Sequence, residues 1–248
     1  LQYEMYHYAQ LGKFSCPGCG SRNPECDFVG HDLRLYPSIE LNVNDMRITS
    51  HYQGFYNAYN ILAAVSVCKL LAIDDGEIRE AISNYQPHAG RMENFNINGK
   101  KAILILVKNP AGLNQALSTL SYDSAPKSLL FILNDNVADG RDISWIWDAN
   151  IEIINEETVN ICKIICSGQR NGDMAVRIKY SGFADSDIII KSGLQNAIEE
   201  TVKQKTPTVY ILCTYTALFE CRHILHKLAG AELTDSLAGN ELKRQIQQ

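Results

Sequence analysis

Phe131-Ile-Leu-Asn-Asp-Asn-Val-Ala-Asp-Gly-Arg-Asp-Ile-Ser-Trp-Ile-Trp-Asp148 runs from an apolar stretch into a loop that gathers carboxylates, amides and both tryptophans of the chain. Residues 129–133 read as a buried strand. The polar residues behind them then stand at the strand's C-terminal edge, where open α/β sheets place their binding and catalytic groups. Asp135, Asp139, Asp142 and Asp148 are the acids available there.

Outward from this loop, apolar strands and helical segments take turns. Strands are expected over residues 102–107, 129–133, 151–154, 161–166, 187–190 and 208–213. Helices are expected from about Leu113, from about Asp173, from Gly193 and over residues 217–228. Strand and helix in alternation is the pattern of an α/β domain whose mostly parallel sheet is covered on both faces. The pattern changes at Pro87 and Gly90-Arg91-Met92-Glu93, which puts a domain boundary near residues 87–91. The polar tail after Ala229 is expected to fray.

Before that boundary, residues 38–50 alternate apolar and polar side chains and predict a strand pair. Ile61, Ala64, Val65 and Cys68 then recur at helical spacing, with Gly54 and Asn57 at the helix start. Asn57 is there either a plain cap or a donor to a base or ribose edge beside unpaired N–H groups. A second helix is expected over residues 74–84, capped by Asp74 or Asp75 and ended by Pro87.

Residues 1–37 are irregular around Cys16-Pro-Gly-Cys19-Gly. Two cysteines at this spacing make a knuckle that points both thiolates at one tetrahedral zinc. Cys26, His7 and His31 are the nearby candidates for further ligands. The motif is either half of a zinc ribbon, its partner knuckle preceding Leu1, or two surface cysteines on a turn. The remaining Cys68, Cys162, Cys166, Cys213 and Cys221 stand in apolar patterns and read as buried small hydrophobes. His223 and His226 read as solvent-facing or helix-capping residues.

With 248 residues, 46% hydrophobic and 21% charged, the composition is that of a globular protein. A net charge of −5 without a Lys/Arg cluster argues against a nucleic-acid partner. No apolar run approaches the roughly 20 residues that cross a bilayer, so no transmembrane segment and a cytoplasmic location are expected. The irregular cysteine spacing reads as reduced thiols.

Gly54-x-x-Asn57-x-x-Asn60-x-x-Ala63-Ala64, then Gly90-Arg91-x-Glu93, then a strand running into Asn109-Pro110, resembles the end of the central domain and the start of the C-terminal domain of the Mur ligases. One departure is informative. Amino-acid-adding Mur ligases carry an acidic or histidine-containing motif before Asn-Pro, where this chain has Val107-Lys108-Asn109-Pro110-Ala111-Gly112. That string, the Cys-x-x-Cys-Gly knuckle, the Asn134–Asp148 loop, Ser167-Gly-x-Arg170-x-x-Asp173-Met174-Ala175-x-Arg177 and Tyr215-Thr216-Ala217 resemble the MurT-type subunits of lipid II isoglutaminyl synthase.

The resemblance implies residues 1–37 as a zinc-ribbon segment, residues 38–88 as the end of an ATP-binding central domain, and residues 89–248 as a Rossmann-like C-terminal domain. It implies an amidoligase subunit that uses ATP with magnesium and acts on the lipid II stem peptide at the inner face of the membrane. There it pairs with a GatD-type glutamine amidotransferase as a heterodimer or larger assembly. Asn57 and Arg91 become ATP contacts and Cys16 and Cys19 zinc ligands. An Asp of the loop, Asp148 ahead of Asp142 and Asp139, becomes the carboxylate lent to the partner's Cys–His pair.

Against these roles stand plainer ones: Arg91 as a surface or interdomain salt-bridge residue, and the loop as an Asx-rich turn with its tryptophans in the core. The chain contains no Gly-x-x-x-x-Gly-Lys-Ser/Thr phosphate loop. The resemblance places that loop before Leu1, so a fragment without ATPase activity of its own is expected. The alternative function is a zinc-stabilised α/β module that binds a partner or nucleotide without chemistry.

Overall fold

In a computed structural model, residues 1–8, 11–85 and 89–230 are described. β1 (Gln2–Tyr8) and β2 (Leu11–Ser15) pair antiparallel, and Tyr3 stacks on Tyr6 at 4.5 Å. β3 (Gly30–Arg34), β4 (Ile39–Val43) and β5 (Met46–Ser50) form a three-stranded antiparallel sheet, the last two being the expected pair. Along β4 and β5 every second side chain is buried, so one face carries Ile39, Leu41, Val43, Met46 and Ile48. α1 (Phe55–Leu70) and α2 (Asp75–Asn84) cover that face with Ala58, Ile61, Val65 and Ile78. Asp74 is the N-cap of α2, its side chain accepting the Gly76 N–H at 2.7 Å. Pro87 and the tail beyond Gly230 lie outside the described residues.

The larger sheet contains β6 (Arg91–Ile97), β7 (Lys100–Leu106), β8 (Lys127–Ile132), β9 (Ile161–Ser167), β10 (Ile188–Ile190) and β11 (Thr208–Cys213). Its order is β10-β9-β8-β11-β7-β6, parallel except for the β6–β7 hairpin. α3 (Pro110–Ser121) and α4 (Asn171–Tyr180) lie on one face, together with the short 3-10 turns Ser144–Trp147 and Ile151–Asn155. α5 (Leu194–Lys203) and α6 (Tyr215–Leu228) lie on the other. The expected α/β class and mostly parallel sheet are therefore observed.

Some expectations fail for identifiable reasons. β6 is absent from the expected strands because its outward residues are Asn94 and Asn96, although its turn, Asn98-Gly99, has both φ angles positive (51° and 80°) and is a strong hairpin signal. Residues 151–154 are 3-10 helix rather than strand. Ile151 and Ile154, three apart, bury on one side of a three-residue turn while Glu152 faces out, and a short apolar run cannot distinguish the two states. α3 starts at Pro110, before Leu113, because the Asn109 side chain caps it by accepting the Gly112 N–H at 2.7 Å. Cys162 is exposed and Cys68 half-buried, whereas Cys166, Cys213 and Cys221 are buried as expected. His226 is also not a surface residue: its ring meets Phe95 edge-on at 5.0 Å, and its Nε2 lies 3.7 Å from Glu93.

β8 and β11 are neighbours, yet β8 leads to the α3/α4 face and β11 to α6 on the opposite face. The two strands stay paired to their ends, with Thr214 N–H donating to the Ile132 carbonyl at 3.0 Å, and the chain beyond them parts to opposite faces, which marks the crevice position at which open α/β sheets bind ligands.

Candidate functional site

The crevice is filled by a polar network. Asn134 donates its backbone N–H to the Thr214 hydroxyl at 3.0 Å and its side-chain amide to the Thr216 hydroxyl at 3.0 Å. Asn136 donates to the same hydroxyl at 2.9 Å, and Gln169 donates its backbone N–H to the Asn134 side chain and its amide to that of Asn136. Asp135 accepts a charge-assisted hydrogen bond from Arg170 Nε at 2.7 Å. Asp139 is 7% exposed and accepts from the Thr216 N–H at 2.7 Å, the Thr216 hydroxyl at 2.6 Å and the Asn136 N–H at 3.2 Å. Its carboxylate is occupied in holding the first turn of α6.

The other two loop acids face outward. Asp142 accepts the Ser144 N–H at 2.8 Å, and this bond holds its carboxyl below the usual carboxylate range. Asp148 ends the 3-10 turn Ser144–Trp147; its backbone N–H reaches the Trp145 carbonyl at 3.1 Å, and its carboxylate has no hydrogen-bond or ion-pair partner among the described residues. Beside it Trp147 is 51% exposed, in edge contact with Tyr180 at 5.8 Å. The turn and the start of α4 enclose a concavity of about 410 Å³, lined by Asp142, Ser144, Trp147, Gly172, Asp173 and Val176.

Sequence reasoning assigned no role to Arg177. It is 3% exposed and donates from Nε to the Ile146 carbonyl at 3.0 Å and from Nη2 to the Ala149 carbonyl at 2.8 Å. It also pairs with Glu152 at 2.9 Å and stands 5.4 Å from the centre of the Trp147 ring. The available signal was an arginine among Met174, Ala175 and Ile178, the buried face of α4.

Asn57 and Arg91, distant in sequence, line one cavity of about 450 Å³ together with Tyr52, Asn60, Cys68 and Tyr85. Asn57 is buried, and its amide donates to the Gln53 carbonyl at 2.8 Å. Tyr52 stacks on Tyr85 at 5.3 Å, so one wall of the cavity is aromatic. Burial and the neighbouring Tyr85 phenol push the Tyr52 hydroxyl well above its usual range.

Arg91 is exposed and forms no ion pair among the described residues. It is aimed by a bulge in which Gly90 and Met92 both have positive φ. A side chain at Gly90 would be strained, since its φ is +74° and a Cβ would lie 2.7 Å from Leu218 Cδ1 and 3.1 Å from Leu106 Cβ. The neighbouring Glu93 forms an ion pair within the larger sheet's own unit, binding Arg222 of α6 at 2.7 Å.

Cys16 and Cys19 are brought together on a tight turn closed by Gly20 N–H to Cys16 carbonyl at 2.8 Å. The backbone N–H of Cys19, its thiol and the N–H of Gly18 lower the Cys16 thiol below its ordinary value, as a thiolate ligand requires. Among the described residues no group of three or more His, Cys, Asp or Glu could hold a metal, so the zinc expectation rests on this pair alone. His31 is engaged with Asp32 and the Asn44 carbonyl.

A family model described as MurT ligase C-terminal matches residues 106–218, the stretch that contains the crevice, the acidic loop and Arg177. The chain belongs to the MurT family.

Subunit MurT of the glutamine-hydrolyzing lipid II isoglutaminyl synthase of Streptococcus pneumoniae is 37% identical over 232 residues, covering 91% of this chain and 50% of the relative. That of Staphylococcus aureus (strain COL) is 34% identical over 218 residues, covering 88% and 49%. This chain therefore spans about half the length of the MurT relatives it matches. Among solved structures, a pseudomurein peptide ligase type C from Methanothermus fervidus aligns with a TM-score of 0.65 at 18% identity, over 92% of this chain and 47% of that one. MurC, the UDP-N-acetylmuramate-alanine ligase of Thermotoga maritima, aligns at 0.60 and 11% identity, over 83% and 46%. These two place the fold among Mur ligases. No described helix of this MurT-family chain is long and apolar enough to cross a membrane.

Proposed function

We propose that this chain acts as part of an ATP- and glutamine-dependent amidoligase. The enzyme amidates the α-carboxylate of D-glutamate in the lipid II stem peptide, on the cytoplasmic face of the membrane. Residues 1–37, 38–88 and 89–248 serve as zinc-ribbon segment, end of the ATP-binding domain and C-terminal domain. Ammonia comes from a GatD-type glutaminase subunit docked on the C-terminal domain, in a heterodimer or larger assembly, and Asp148 orients the histidine of that subunit's Cys–His pair. The observation that carries this reading is the Asp148 carboxylate itself: outward-facing, unpartnered among the described residues, and next to an exposed tryptophan. Asp142 and Asp139 rank behind it because their oxygens already accept hydrogen bonds from this chain.

ATP with its magnesium supplies the phosphoryl group that makes the carboxylate oxygen a leaving group. The cavity shared by Asn57 and Arg91 fits such a nucleotide. Its apolar and aromatic walls suit a planar base, Asn57 and Asn60 offer amide groups, and Arg91, without an ion pair among the described residues, offers a fork for phosphate oxygens. Cys16 and Cys19 fit two positions of a tetrahedral zinc site.

The test is glutamine hydrolysis by the glutaminase mixed with this chain as wild type, Asp148→Asn, Asp142→Asn or Asp139→Asn. Asp148→Asn is expected to lose about a hundredfold or more in kcat, and the other two far less. Unchanged hydrolysis in all three, with binding intact, removes the lent carboxylate.

A further inference from the structure

We infer that Arg177 is the positioning residue for Asp148, an assignment that rests on the lent-carboxylate reading above. A carboxylate on an exposed turn is useful to another protein's histidine only if it already stands in one place. Local sequence does not ensure that here, because a single 3-10 turn is held by few hydrogen bonds and leaves its last carbonyls unpaired. Arg177 supplies the missing restraint from α4. Its two carbonyl bonds fall on Ile146 and Ala149, the residues that bracket Trp147 and Asp148. The side chains of Ile146 and Ala149 are themselves buried, so the chain is pinned on both sides of the carboxylate by packing and by hydrogen bonds.

Two further guanidinium donors face Glu152, in contacts of 2.9 and 3.0 Å, and Trp147 lies 5.4 Å from the guanidinium carbon. A buried arginine is an expensive way to fill space, since its charge must be taken out of water and an apolar side chain would pack without that penalty. What the arginine adds is a planar fork reaching two backbone carbonyls and a carboxylate at once. A lysine, with one point charge, cannot reproduce that geometry.

The test uses the complex of this chain with its glutaminase and reads kcat and KM for glutamine hydrolysis. Four forms of the chain are compared: wild type, Arg177→Lys, Asp148→Asn and the double variant. Arg177→Lys is expected to lower kcat about tenfold with KM unchanged. In the double variant it is expected to add no loss to that of Asp148→Asn, because there is then no carboxylate to place.

A merely structural role predicts a different pattern, in which Arg177→Lys lowers kcat by the same factor with or without Asp148. That pattern overturns the assignment, as does wild-type kcat in Arg177→Lys while Asp148→Asn is impaired. Wild-type kcat in Asp148→Asn removes the underlying reading and this inference with it. If Arg177→Lys does not fold, Arg177→Gln carries the test, since its neutral amide can keep at most one of the two carbonyl bonds. A loss in kcat that vanishes on the Asp148→Asn background supports the assignment, and wild-type kcat overturns it.

Discussion

The Asp139 carboxylate grips Thr216 by both backbone and side chain, accepting its N–H at 2.7 Å and its hydroxyl at 2.6 Å across 77 residues of sequence. The contact satisfies an N–H group that the first turn of α6 leaves unpaired and sets a negative charge at the positive end of that helix. It also anchors the hydroxyl on which Asn134 and Asn136 converge. Asp139→Ala should therefore destabilise the protein by about 1–2 kcal/mol, read as a lower urea midpoint at unchanged slope. An unchanged midpoint would mean that the cap contributes nothing.

Gly168 offers a backbone test of the same crevice. Its φ is +89°, and an added Cβ would lie 2.5 Å from the Leu133 carbonyl oxygen, a backbone atom that cannot rotate away. Gly168→Ala should cost at least about 1–3 kcal/mol and shift the backbone amide signals of residues 133–136. Retention of the wild-type melting temperature would show that the crevice backbone yields easily.

Arg177 holds the Glu152 carboxyl below its ordinary value. A carboxyl with a depressed folded-state pKa stabilises the fold fully above its unfolded value, about 4.3 for glutamate, and loses that contribution as pH falls through the lower folded value. Wild type should be more stable than Glu152→Gln at pH 7, and the gap should close only below about pH 4. Chemical denaturation of both proteins across this range measures it; a gap independent of pH would deny the ion pair its role.

The thiols should divide by environment. Burial pushes Cys166 up to about 12, and Cys213 is raised by its hydrogen bond with Cys221 and by burial, whereas backbone N–H groups lower Cys16. In metal-free protein at pH 7, iodoacetamide should label Cys16 readily and Cys166, Cys213 and Cys221 only on unfolding. Peptide mapping of the labelled sites decides, and early labelling of Cys213 would contradict the buried pair.

Sequence patterns identified the sheet strands from β7 onward, with 151–154 the exception, because a fully buried parallel strand is a short apolar run bounded by polar turns. Sequence was weakest where polarity hides structure. β6 alternates Asn and Glu with Met, Phe and Ile, and only its Asn98-Gly99 turn marks it. The acidic loop stood out as a candidate site by its composition, and Asp148 was placed ahead of Asp142 and Asp139, but nothing in the spacing of the three says which has a partner.

By itself, then, the sequence determined the alternating α/β pattern, a cap at Asp74 or Asp75 and the string of motifs shared with MurT subunits. These depend on interactions within a few residues or on residue identity alone. Tertiary structure decided which acid is without a partner among the described residues. Asp139 is taken by Thr216 and Asp142 by a local turn, while Asp148 is left open between two carbonyls held by Arg177. Thr216 and Arg177 lie on helices that reach the loop only when β8, β9 and β11 align, and no local periodicity encodes that meeting.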